Sequence, residues 1–202
     1  KELAGELEVT PTAVMFGAFT KVLARWSSNQ AFTINTTLFN RPSIHKDIYG
    51  IVGDFTTVLL LSVDTQQEQT FNQYVKEIQG KIVEQLDKKS MSGIELMREY
   101  SKEHDLMGKA VMPVVYTSIM DSIDGDSDKK ANIFEDSLTY GISQTPQVWL
   151  DCQIGEKGNT VIFNWDAVED IFPKGMLDDM FAGYCKLLDD LAFDETAWIR
   201  ES

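Results

Sequence analysis

The sequence has few of the residues that mark disulfide-rich, metal-binding or membrane proteins. Its 202 residues include only two cysteines and two histidines. Cys152 and Cys185 lack the Cys-x-x-Cys spacing of zinc and redox motifs, so neither a disulfide framework nor a zinc site is indicated. No apolar run approaches the roughly 20 residues of a membrane-spanning helix, and no basic-then-apolar leader opens the chain. These absences predict a protein of the reducing cytoplasm with no membrane partner.

Positive charge is also scarce. Lys and Arg number 18 against 32 for Asp and Glu, and the formal net charge is −14 at pH 7. A surface of this sign repels phosphate groups, which argues against nucleic acid and anionic membrane surfaces as partners. The sequence also lacks a Gly-rich loop that could hold a phosphate, so no nucleotide site is predicted.

One acidic stretch has the spacing of a calcium-binding loop but lacks its turn. The acidic positions of such a loop are matched by Asp124, Asp126, Asp128 and Glu135. Lys129 stands where the loop needs a glycine for its sharp turn, and Lys130 adds opposing charge. We therefore interpret residues 121–136 as a solvated, mobile loop and predict no metal site. His45 and His104 lie in polar surroundings and are interpreted as surface residues.

What the sequence does contain is enough apolar material for a core of ordinary size, which we expect to form one compact unit. Hydrophobic residues make up 43% of the chain. Their spacing alternates between the strand and helix periods, with capping residues before the helical runs. Strands are predicted at residues 31–38, 55–63, 112–119, 143–153 and 160–165, and helices after Thr10, Thr70, Ser92 and Gly175. This order predicts an α/β fold, a two-layer mixed β-sheet packed by helices.

Two of these strands carry residues that a buried strand does not need. Thr117 lies in an apolar row of the strand at 112–119. In the strand at 143–153, alternation places Asp151 in a polar row with Trp149 and Gln153, while Cys152 points to the opposite, core-forming face. If the two strands pair, a hydroxyl and a carboxylate converge on one spot.

Each of these residues also has a structural interpretation. A buried strand Thr is commonly a β-forming residue that bonds a backbone carbonyl. Asp is disfavoured in strands, and a half-buried carboxylate needs partners or a shifted pKa, although an ion-pair network can supply both. Asp54 could be a turn residue that closes a loop. Asn164 and Asp166 could line a polar cleft or only end their strand.

Six short motifs, in order along the chain, resemble those of the heterocyclisation domains of nonribosomal peptide synthetases. They are Thr10-Pro11 with Val22-Leu23 and Trp26-Ser27, Thr37 to Arg41, Gly53 to Thr56, Pro113 to Ser118, Ser143 to Asp151, and Phe163 to Asp166. The resemblance spans nearly all of the chain. Tyr116 replaces the usual Phe of one motif, and Cys152 stands where the family often has His.

The resemblance implies a fold and a reaction. Heterocyclisation domains are variants of condensation domains, built from two halves similar to chloramphenicol acetyltransferase and other CoA-dependent acyltransferases. They condense a carrier-bound acyl thioester with carrier-bound Cys, Ser or Thr, then cyclise and dehydrate the product to a thiazoline or oxazoline. In this family the residues implicated in cyclodehydration match Thr117 and Asp151. Candidates for the substrate tunnel are Asp54, Gln144, Trp149, Asn164 and Asp166.

The resemblance also implies partners. Substrates arrive on the phosphopantetheine of upstream and downstream peptidyl carrier proteins, with no directly bound cofactor, and an adenylation domain lies nearby. Only the C-terminal half is matched, at residues 1–192, with residues 193–202 as the start of a linker. The family's Asp-x-x-x-x-Asp-x-x-Ser motif and the His-His-x-x-x-Asp motif of ordinary condensation domains are absent from the sequence.

The chain begins at Lys1 without Met, so we expect a piece of a longer polypeptide that needs the N-terminal half of the domain for activity. The alternatives are half of a plain amide-forming condensation domain and a non-catalytic module that docks carrier proteins.

Overall fold

The computed structural model describes residues 2–39, 45–53, 55–87, 92–120, 145–157 and 160–200. The chain forms two compact units rather than the single unit expected from its composition. The first consists of Lys1–Ile34, Leu61–Lys89 and Ala167–Ser202, and the second of Asn35–Leu60 and Ser90–Asp166. The division comes from long-range contacts, which the hydrophobic content of a sequence does not specify.

Five helices and five strands make up the described fold. The helices are α1 (Glu2–Glu6), α2 (Pro11–Trp26), α3 (Phe71–Asp87), α4 (Gly93–Glu103) and α5 (Met176–Phe193). The strands are β1 (Ala31–Phe39), β2 (Thr56–Asp64), β3 (Val114–Ser118), β4 (Leu150–Lys157) and β5 (Thr160–Ala167). Short 3-10 turns occur at Ile48–Gly50, Glu169–Ile171 and Glu195–Trp198.

The first unit is held by α2, which packs against α3 and α5. The helix begins as predicted, because the Thr10 hydroxyl accepts a hydrogen bond from the Ala13 N–H at 3.2 Å and Pro11 needs no donor at the first helical position. Its one fully buried polar side chain, Thr20, shares a hydrogen bond of 2.8 Å with the Tyr74 hydroxyl of α3. Tyr184 of α5 donates its hydroxyl to the Met15 carbonyl at 3.2 Å. The hydroxyls of Thr20, Tyr74 and Tyr184 thus each have a hydrogen-bond partner, which offsets the cost of burying them.

The residues just after α5 pack on the first unit. Trp198 is only 5% exposed, and its indole N–H donates to the Leu191 carbonyl at 2.8 Å. Its ring meets Phe71 edge-on with centroids 5.5 Å apart. Residues 195–198 of the predicted linker therefore belong to this packing, and the domain boundary itself stays a prediction.

The strands form one mixed sheet with the order β2-β1-β3-β4-β5. The β1–β3 and β3–β4 pairs are parallel. Thr37 of β1 lies opposite Thr117 of β3, Val115 lies opposite Asp151 of β4, and Thr117 also lies opposite Gln153. The predicted fold class, a mixed sheet packed by helices, is confirmed.

The strand predicted at 143–153 is misplaced by several residues. β4 begins only at Leu150 and continues to Lys157, four residues beyond the predicted end of the strand at Gln153. Before it, Gln147 adopts a left-handed conformation (φ 66°), which no extended strand allows. The Trp149 N–H donates to the Pro113 carbonyl at 2.8 Å and aligns β4 with β3. Residues 158 and 159 lie outside the described part of the chain.

In the second unit, α4 begins at the predicted capping box and lies very close to β2. The Ser92 hydroxyl accepts from the Glu95 N–H at 3.2 Å, and the Glu95 carboxylate accepts from the Ser92 N–H at 3.0 Å. Next along the chain, Gly93 is buried, and a Cβ there would lie 2.6 Å from the Val58 carbonyl oxygen and 2.9 Å from Val58 Cγ1. This close approach of helix and strand requires a glycine.

Two glycine substitutions should therefore have opposite effects on stability. We expect Gly93→Ala to destabilise the fold by about 1–3 kcal/mol, because the backbone of β2 must move to admit the methyl group. Gly80→Ala, in the exposed middle of α3 where a Cβ meets nothing within 4 Å, should stabilise it by about 0.5–1 kcal/mol. Urea unfolding of both variants measures the free energies. Equal effects would contradict the described contact between Gly93 and Val58.

Candidate functional site

A row of polar side chains crosses one face of the sheet in the second unit. The register places the side chains of Thr37 and Thr117 side by side, and alternation along β4 sends Asp151 and Gln153 to the same face. β5 completes the row with Asn164 and Asp166, both of which bond to Gln153. Four neighbouring strands therefore contribute to one polar surface.

The back face of β4 is what holds this row in place. Leu150, Cys152 and Ile154 are each no more than 1% exposed. Burial of these three side chains forces the residues between them, Asp151 and Gln153, to the other face. Cys152 thus lies in the core and away from Asp151, as the sequence predicts.

Thr117 and Asp151, the two residues singled out from the sequence, are brought together. The Thr117 hydroxyl donates to Asp151 Oδ1 at 3.3 Å and lies 3.1 Å from the Thr37 hydroxyl. A hydroxyl has one hydrogen and two lone pairs. With Asp151 ionised, the Thr117 hydrogen can be donated to the carboxylate. With Asp151 protonated, the carboxyl can donate to Thr117 and the Thr117 hydrogen can be donated to Thr37, so the site accommodates either protonation state.

Gln153 links the carboxyl groups of two strands. Its Nε2 donates to Asp151 Oδ2 at 2.9 Å and to Asp166 Oδ2 at 3.1 Å. Its Oε1 accepts from Asn164 Nδ2 at 3.3 Å. Both ends of the Gln153 amide are therefore engaged within the row.

The pKa of Asp151 is raised above its ordinary value. Burial is the main cause, because it disfavours the charged form, and the nearby negative charge of Asp166 acts in the same direction. The hydrogen bonds from Gln153 and Thr117 favour the ionised form and oppose the shift. Asp151 is thus a carboxyl whose proton affinity is increased toward the range useful for proton transfer.

The remaining predicted site residues have different positions. Asn164 and Asp166 belong to the row through Gln153. Trp149 is 45% exposed and precedes β4, where its backbone N–H bonds to the Pro113 carbonyl of the chain before β3. Gln144 and Asp54 lie outside the described residues, as do residues 121–136.

Thr37 and Gln153 take part in the site, although neither is among the catalytic or tunnel residues predicted from the sequence. Gln153 has a recognisable signal, since it lies two residues after Asp151 and therefore on the same face of a strand. Thr37 has none by itself, because only the parallel pairing of β1 with β3 places it beside Thr117. Two residues before Thr37, the side-chain oxygen of Asn35 is buried and has no hydrogen-bond partner among the described residues.

Within the described ranges, no group of three or more His, Cys, Asp and Glu side chains could hold a metal ion. The same part of the chain contains no helix long and apolar enough to cross a membrane. The row itself presents two carboxyls, two hydroxyls and two amides.

The chain and its mixed sheet belong to a known class of protein. The condensation-domain family model matches residues 1–201, and the chain belongs to this family. The family and fold class predicted from the sequence are thereby confirmed.

Among curated proteins, the chain is 35% identical over 200 residues to pyochelin synthetase PchF from Pseudomonas aeruginosa, covering 96% of the chain and 11% of that protein. It is 35% identical over 190 residues to phenyloxazoline synthase MbtB from Mycolicibacterium paratuberculosis, covering 94% of the chain and 16% of that protein. The chain thus spans less than a fifth of either relative.

Among solved structures, the EpoB cyclization-docking bidomain of a nonribosomal peptide synthetase from Sorangium cellulosum superposes with a TM-score of 0.84 at 36% identity, covering 98% of this chain and 39% of that one. The X-domain from teicoplanin biosynthesis has the same fold, with a TM-score of 0.75 at 15% identity and coverage of 99% of this chain and 44% of that one.

The raised pKa of Asp151 predicts a pH-dependent cost to stability. A carboxyl whose pKa is higher in the folded state favours folding most at pH values below its ordinary value of 3.8, and this contribution is lost as the pH rises through the folded value. Asp151→Asn removes the charge and can still bond Thr117 and Gln153 after a flip of its amide. The variant should therefore gain stability relative to the parent as the pH rises from about 3.8 to neutrality, as measured by urea unfolding at a series of pH values.

Asp194→Asn is the matched control, because the pKa of Asp194 is shifted in the opposite direction. The Thr196 hydroxyl and N–H bond to Asp194 at 2.6 and 2.9 Å and hold the pKa of that exposed carboxyl below its ordinary value. Asp194 thus stabilises the fold at neutral pH and loses this contribution as the pH falls. The same pH trend in both variants would contradict the assignment for Asp151.

Proposed function

We propose that the chain is the C-terminal half of a heterocyclisation domain of a nonribosomal peptide synthetase, at residues 1–192. The proposed reaction joins a carrier-bound acyl thioester to carrier-bound Cys, Ser or Thr through an amide. The ring is then closed and dehydrated to a thiazoline or oxazoline. The observation that carries this proposal is the contact of 3.3 Å between the Thr117 hydroxyl and Asp151, a half-buried carboxyl with a raised pKa.

The chemistry of ring formation requires proton transfers that such a carboxyl can perform. In closure, the side-chain sulfur or oxygen of the new residue bonds to the amide carbonyl carbon and loses its proton, while the carbonyl oxygen gains one and becomes a hydroxyl. In dehydration, that hydroxyl leaves as water with one further proton, and the ring nitrogen loses its proton as the C=N bond forms. A single carboxyl can accept a proton in one step and donate it in the other.

The surroundings of Asp151 suit this double role. Its raised pKa brings the protonated and ionised forms closer in free energy at neutral pH. The Thr117 hydroxyl can donate to Asp151 when that carboxyl is ionised and to Thr37 when it is protonated, so its hydrogen has an acceptor in both states. In this proposal Asp151 transfers the proton, and Thr117 orients Asp151 or the leaving oxygen.

The relatives support a cyclising rather than a plain condensing role. The names of MbtB and the EpoB bidomain contain the words phenyloxazoline synthase and cyclization. We extend that activity to this chain as part of the proposal. The proposed partners are the N-terminal half of the domain, the flanking peptidyl carrier proteins with their phosphopantetheine-bound substrates, and an adenylation domain, all in the cytoplasm. Trp149, Asn164, Asp166, Gln144 and Asp54 remain proposed tunnel residues.

Substitution of Asp151 should separate ring formation from amide formation. In the intact synthetase we expect Asp151→Asn to slow ring formation by about 100-fold or more, since general acid–base groups contribute about that much, while the linear amide accumulates. Thr117→Ala should have the same effect in milder form. Mass spectrometry of the carrier-bound product measures the ratio of ring to linear amide.

Asp179→Asn, on the exposed surface of α5, is the control and should leave the product unchanged. Normal ring formation by folded Asp151→Asn and Thr117→Ala variants would overturn the proposal and favour one of the two alternatives, half of a plain amide-forming condensation domain or a non-catalytic docking module.

The isolated chain should fold but not catalyse. Its helix caps and its buried core agree with one another in specifying the same fold, so we expect cooperative unfolding. However, catalysis with two tethered substrates depends on holding both in register, and in the proposed arrangement each half of the domain supplies one wall of the tunnel. The isolated chain should give no product from loaded carriers. Turnover above that of its Asp151→Asn variant would contradict the two-half proposal.

A further inference from the structure

The side chain of Gln153 bonds to both carboxyl groups of the row. The hydrogen bonds from its Nε2 join Asp151 of β4 and Asp166 of β5, at 2.9 and 3.1 Å. A side-chain amide has two N–H hydrogens, so both bonds can be made at once. Without this donor, two carboxyl groups on neighbouring strands would face each other directly.

The orientation of the Gln153 amide is determined by its neighbours. Asn164 Nδ2 donates to Gln153 Oε1 at 3.3 Å. A flipped amide would turn its oxygen toward the two carboxyl groups and its NH₂ toward the NH₂ of Asn164, which loses all three hydrogen bonds. The donor side of Gln153 is thus directed at Asp151 by the structure of the row itself.

We propose that Gln153 is a positioning residue for Asp151, one that orients its carboxyl group and favours its ionised form. The inference rests on the proposed role of Asp151 in cyclodehydration. Thr117 holds one oxygen of Asp151 from β3, and Gln153 holds the other from within β4. Together they fix the plane of the carboxyl group, as proton transfer along a defined direction requires.

The effect of Gln153 on the ionisation of Asp151 follows from the groups that surround this carboxyl. Thr117 of β3, with Thr37 of β1 behind it, and Gln153 of β4 present hydrogen-bonding dipoles, and Asp166 of β5 presents a negative charge. Gln153 stands between the two carboxyl groups and its hydrogen bond lowers the pKa of Asp151, while Asp166 raises it. Removal of Gln153 should therefore raise the pKa of Asp151 further.

Two substitutions test this in the intact synthetase. Gln153→Met has nearly the same shape but no donor, and Gln153→Glu has the same shape with a third carboxyl. We expect ring formation to slow by about 10- to 100-fold, as loss of one hydrogen bond to a charged group predicts, with amide formation unchanged. The midpoint of the Asp151-dependent limb of the pH–rate profile should move to higher pH, and further for Glu than for Met. Rates are measured by mass spectrometry of the carrier-bound products from acidic to alkaline pH.

Gln79 provides a matched control. In α3 of the first unit it also bridges two groups, donating to the Glu8 carbonyl at 2.9 Å and accepting from the Thr10 N–H. Gln79→Met should lower stability without moving the pH midpoint or the ratio of ring to amide. A uniform loss of rate at Gln153 with an unmoved midpoint would show a packing role only and would overturn the inference.

A double-mutant cycle separates this inference from the proposed function. If Gln153 acts through Asp151, Gln153→Met should cause no further loss in the Asp151→Asn background. Full ring formation by Asp151→Asn would overturn both proposals. Loss of ring formation by Asp151→Asn, together with an unchanged rate and pH midpoint in the Gln153 variants, would overturn this one alone. If Gln153→Met fails to fold, Gln153→Glu carries the same test.

Discussion

The parallel pairing of β1, β3 and β4 is the constraint on which the candidate site depends. Thr37, Thr117 and the Asp151–Gln153 segment are far apart in the sequence and meet only because of the register of these strands. The side-chain period of a strand is two, so a slip of one residue would send Asp151 into the core and Cys152 into the polar row. Burial of Leu150, Cys152 and Ile154 makes such a slip costly and so specifies the register.

The same register places Asp151 where its ionised form is electrostatically disfavoured. A carboxyl placed in a sheet loses hydration, and Asp166 lies close enough to add repulsion. The row offsets this cost with hydrogen bonds from Thr117 and Gln153, each of which has a second partner of its own. A polar network in which every member is satisfied can hold one geometry firmly. In the proposed function, the remaining cost of burying the charged form raises the protonated fraction of Asp151, which is the form that can donate a proton.

The first unit contributes stability through a different kind of packing. α2 meets α3 and α5 with aromatic and small apolar side chains, and its buried Thr20 is paired with Tyr74. β1 and β2 each supply residues to both units. The site itself is assembled entirely within the second unit. Variants such as Gly80→Ala can thus probe stability without touching the row.

Local signals in the sequence, namely capping residues, periodicity and short motifs, predict the class of fold, most of the helix starts and the candidate pair Thr117 and Asp151. The same signals misplace β4, since the alternation of Thr145 to Trp149 resembles a strand while the left-handed Gln147 forbids one. The three-dimensional fold alone places Thr37 beside Thr117, joins two carboxyl groups through Gln153 and divides the chain into two units. These features arise from pairing between distant strands, and no local pattern in a single sequence encodes which strands become neighbours.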